Sequence, residues 1–75
     1  LAIDNYYTEK ENLRLAERIE KKNQTKFFEG MIQSFELRMV QLQLYNAQSN
    51  FVNAIQKVIT NKIELETLLN QSKTD

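Results

Sequence analysis

Leu37, Leu44, Phe51, Val58 and Leu65 fall at every seventh residue, and Val40, Ala47, Ala54, Asn61 and Leu68 follow three places behind them. Apolar residues at both places of a seven-residue repeat form the seam of a helix packed on another helix. The single polar exception is Asn61. The spacing predicts one long helix over residues 34–71, roughly 55 Å at 1.5 Å per residue. A second row, Tyr45, Val52 and Ile59, runs beside the first, with Leu42, Ile55, Ile63 and Leu69 filling in. The intervening positions are mainly polar, so the apolar arc spans about 200°, wider than a two-stranded seam requires. One partner helix cannot cover it.

Residues 2–28 give a weaker version of the same pattern. Ala2, Tyr6, Leu13, Ala16 and Phe27 lie along one side, Leu15 and Ile19 widen it, and Asp4, Glu11, Arg18, Lys22 and Glu29 mark a polar stripe. Acidic residues come early in this segment and basic ones late, the order that a helix dipole favours. The chain has no proline and one glycine, Gly30. Gly30 fits the residue just past a helix end, where φ is positive. Ser34 is the expected N-cap of the second helix, with Glu36 in its first turn. So short a connection returns the second helix antiparallel to the first. The expected fold is all-α: a single antiparallel coiled-coil hairpin over 1–75, turning at 29–34 and forming part of a larger bundle or barrel.

Composition narrows the chemistry. Ten basic and ten acidic residues balance, and the chain lacks cysteine and histidine. The group Arg14, Arg18, Lys21, Lys22 and Lys26 reads as a solvated helix face rather than a nucleic-acid surface, because the net charge is zero. Carboxylate metal sites in helix bundles use an accompanying histidine, so no metal or cofactor is expected. Without a nucleophile–base constellation or a phosphate-cradling loop, no enzyme activity is expected either. The sequence opens on Leu1, which raises the expectation of an excised or processed segment of a longer chain.

The turn itself is unusual. Phe27, Phe28, Met31, Ile32 and Phe35 crowd it, and apolar area concentrated on a loop marks a contact. The run from "ENLRLAERIEKKNQTKFFEGMIQSFELR" into "QLQLYNAQSNFVNAIQKVITNKIELETLLN" resembles the outer-membrane efflux protein family, the TolC-like exit ducts. The features that carry the likeness are Phe27-Phe28 before Gly30, then Met31, Ile32 and Ser34. Glu36 follows, then Leu44-Tyr45-Asn46-Ala47 and the closing Ile63, Leu65, Leu68 and Leu69. They match one of the family's two hairpin repeats, the C-terminal one.

The resemblance implies a homotrimer with a β-barrel in the bacterial outer membrane and an α-helical barrel in the periplasm, this chain being part of the periplasmic portion. It implies a tripartite export system, with an inner-membrane transporter and a periplasmic adaptor that docks on the tip Gly30, Met31, Ile32, Gln33 and Ser34. It also implies a pore-lining role for Glu36. The next acidic family position falls on Met39, and Ile32 stands where some members carry arginine. From another class comes a stand-alone hairpin that dimerises as a scaffold or oligomerisation module. On either reading, the isolated chain is expected to self-associate.

Overall fold

The computed structural model describes residues 1–74, with side chains described through residue 71. Two helices account for nearly all of it: α1, Ala2–Phe28, and α2, Ser34–Thr74. They fold back on each other as an elongated hairpin measuring 68 × 15 × 14 Å. No strand occurs among the described residues.

α1 starts without a side-chain cap; the Asn5 N–H bonds the Leu1 carbonyl at 3.0 Å, and Asp4 faces the positive end of the dipole. Its other end closes on Gly30, whose φ is +74°. There the Gly30 N–H donates to the Phe27 carbonyl at 3.0 Å and the Met31 N–H to the Lys26 carbonyl at 2.8 Å. This is the paired closure of a left-handed glycine cap, and it satisfies two carbonyls that the helix end would leave open. Lys26 in the last turn adds a cation at the negative end.

The second helix starts at Ser34, as its expected range did, but its cap lies one place earlier than expected. Ser34 is its first helical residue, and the carbonyl of Gln33 accepts the Glu36 and Leu37 N–H groups at 3.0 and 3.3 Å. Ser34 is therefore not the N-cap: the chain has already entered helical geometry there, and Gln33 holds the cap position. α2 also runs to Thr74, three residues past the expected 71.

Between the helices the most deeply buried residues are alanines. Ala54 is 1% exposed and Ala47 9%, and these are the only buried residues among those described. Small side chains at both positions let the backbones approach. Leu37, Val40, Leu44, Phe51 and Val58 line the same seam half-buried. From α1 come Ala2, Tyr6, Leu13, Ala16 and Phe27, also half-buried, with Glu9, Glu20 and Asn23 interleaved at the same spacing. Two of these, Glu20 and Asn23, bond within their own helix. Asn23 Nδ2 donates to the Ile19 carbonyl at 2.7 Å, and Gln24 Nε2 donates to Glu20 Oε1 at 2.5 Å. No helix among the described residues is long and apolar enough to cross a membrane.

Candidate functional site

At the turn, the glycine cap decides what solvent sees. Met31 follows Gly30 at the place where an apolar residue often packs back on the third residue from the helix end. Here that residue is Lys26, and Met31 stays 67% exposed. Phe28, the last residue of α1, is 83% exposed, and Phe35, in the first turn of α2, is 68% exposed. Phe27 turns inward, and its ring meets that of Phe28 edge-on at 6.0 Å between centroids. Ile32 is half-buried, whereas Gly30, Gln33 and Ser34 are exposed. The five expected tip residues thus sit together at one end of the rod. The largest apolar surfaces there come from Phe28 and Phe35, which flank the five.

A Cβ built on Gly30 meets nothing within 4 Å. Space around the turn is open, and only the left-handed backbone calls for glycine. Glu36 is exposed in the first turn of α2. Its carboxylate sits where the helix dipole favours an anion. Among the described residues no group of His, Cys, Asp or Glu is arranged to hold a metal ion.

The expected seam divides at the open end. Leu37 to Val58 face α1, but Leu65 and Leu68 are exposed. α1 is simply shorter: its first residues lie beside Val58, Asn61 and Leu65, lining a shallow cleft there. Beyond that point α2 has no helix beside it in the hairpin.

A second surface lies on the back of α2. Phe35, Leu42, Tyr45, Val52, Ile59 and Ile63 are all exposed. They share one stripe, about 150° around the helix from the seam at 3.5 residues per turn. Part of this row was visible as a heptad pattern, but its companion signal is a matter of charge. From Met39 to Gln56, eighteen residues, the chain has no charged side chain. α1, by contrast, carries a charge at eleven of its 27 residues. Counting charges per helix, instead of over the whole chain, would have shown this.

Among the described residues the arrangement presents shallow, open clefts along the rod. It offers two apolar surfaces, a tip and a stripe, of the kind that proteins use to bind one another. The chain matches no protein-family model, no curated protein and no solved structure.

Proposed function

We propose that this chain is a non-enzymatic structural hairpin of a TolC-like outer-membrane exit duct, whose turn docks a periplasmic adaptor. The observation that carries the reading is the exposed apolar tip, Phe28, Met31 and Phe35 around Gly30, at the place where the sequence resembles the family's docking turn. Hairpins from several protomers pack side by side with their tips at one end, and small shifts between them open the entrance. Glu36 then sets one carboxylate per protomer near that entrance. The cargo comes from an inner-membrane transporter.

Met31→Asp tests the docking step in the full-length protein. The residue is exposed, so the fold tolerates the change, while a carboxylate enters an apolar contact. Export falls and adaptor cross-linking at the tip is lost, at unchanged protein level. Normal export with Met31→Asp sinks the docking role.

One observation favours a second reading, a scaffold hairpin that dimerises: the stretch of α2 from Met39 to Gln56 that carries no charge. A reading frame that contains only this hairpin, with no strand-rich segments, would support it over the duct.

A further inference from the structure

We propose that the outward stripe of α2 is the contact for a second copy of this chain, with the two α2 helices parallel and in register. The pairing does not depend on the duct reading; it gives the geometry of the dimerising hairpin, which rests on the same uncharged stretch.

The stripe has the spacing of a helix–helix seam but no helix on it. Its apolar members Phe35, Leu42, Tyr45, Val52, Ile59 and Ile63 are exposed on the side away from α1. Charge narrows the choice of occupant. A partner selected by ion pairing needs charges on this face, and between Met39 and Gln56 there are none. The stripe is bordered instead by Gln41, Asn46, Gln48 and Asn53, all exposed. A primary amide both donates and accepts hydrogen bonds. It pairs with its own copy as readily as with any other group, which a charged side chain cannot do.

The back of α1 in a neighbouring copy is a poorer occupant. It carries Glu11, Arg14, Arg18 and Lys21, all exposed, with Arg14 Nη1 held 3.6 Å from Glu11 Oε1. Setting the uncharged stripe there would strip water from those charges without pairing them.

Direction follows from the polar interruptions. In a parallel, in-register pair each stripe residue meets itself. Six layers are apolar, and Ser49 and Gln56 each meet a hydrogen-bonding copy. A slip of one heptad sets Gln56 against Ile63, and a polar residue at a seam position fixes register for this reason. The best antiparallel alignment sets Phe35 against Ile59 and Leu42 against Val52. It wastes Tyr45 on Ser49 and leaves Ile63 beyond the contact. The like-charged Arg38 and Glu66 layers fall at the two ends of the parallel pair, where solvent and salt screen them.

Because the chain has no cysteine, single cysteines report on the pairing without background. Ser49→Cys, Gln56→Cys and, off the stripe, Asn50→Cys are each equilibrated in a glutathione redox buffer, and the parent chain is sized by analytical ultracentrifugation. The proposal expects a dimer, with disulfide-linked dimers from Ser49→Cys and from Gln56→Cys while Asn50→Cys stays reduced. Only a parallel, in-register pair brings both stripe positions to their own copies within disulfide reach.

A monomeric parent chain overturns the proposal. So does cross-linking at one stripe position alone, which marks an antiparallel pair, or equal cross-linking at Asn50→Cys, which marks random collision. Val52→Glu gives a second readout: loss of the dimer with helical circular dichroism retained. A Val52→Glu chain that still dimerises also overturns the proposal. Should that variant fail to fold, the cysteine cross-links decide by themselves.

Discussion

The ring of Tyr6 lies over that of Phe51, with 5.4 Å between centroids and 37° between planes. It ties the first turns of α1 to the middle of α2. Tyr7 meets the same Tyr6 edge-on at 5.2 Å. Both members of the cross-helix pair are half-buried. Phe51→Ala should destabilise the hairpin by about 1–3 kcal/mol, below the range for a fully buried ring. A double-mutant cycle with Tyr6→Ala, read by urea denaturation, should give a coupling of about 0.5–1.5 kcal/mol. A coupling near zero would mean that the rings touch without supporting each other.

Gly30 separates backbone strain from crowding. Its φ of +74° is left-handed, yet an added Cβ meets no atom within 4 Å. Gly30→Ala should therefore cost only the backbone term, about 1–2 kcal/mol. Gly30→Asn should cost less, because asparagine visits that region more readily. Thermal denaturation of the two variants checks the order. Equal stabilities for Ala and Asn would show that the turn adapts.

Ala54 makes the opposite test. It is 1% exposed between the helices, so Ala54→Leu has nowhere to go. Forcing the helices apart should cost about 1–3 kcal/mol. In the single hairpin Leu65→Ala should change stability by less than about 0.5 kcal/mol, since Leu65 is exposed. Chemical denaturation of both variants decides whether the seam ends where α1 does.

Surface charge contributes little here. Arg14 Nη1 and Glu11 Oε1 are 3.6 Å apart, three residues apart on α1, with both side chains mostly exposed. Glu11→Gln should shift stability by less than about 0.5 kcal/mol, and salt should not enlarge the difference. A larger loss would mean that the pair does more than its geometry shows.

Both helices and the glycine turn were legible because heptad spacing and the absence of proline are local signals. The start of α2 at Ser34 was legible, but its cap was misread by one residue: serine is a good cap, yet the Gln33 carbonyl is the one that accepts the first bonds. The face of α1 that meets α2 was only half legible. Glu9, Glu20 and Asn23 fall on it, and polarity hid them from a search for apolar periodicity. The mirror case is Leu15 and Ile19, apolar yet exposed, because they fall on the flank away from the seam. The apolar crowding of the tip was visible in the sequence. Which of its residues face water was not, because that depends on the direction in which Gly30 sends the chain.

The sparse apolar lining of α1 has a consequence for how the molecule comes apart. With Glu9, Glu20 and Asn23 on its inner side, α1 adheres chiefly through Tyr6, Leu13 and Phe27. Its parting from α2 uncovers Ala47 and Ala54, the two most hidden residues of the closed hairpin.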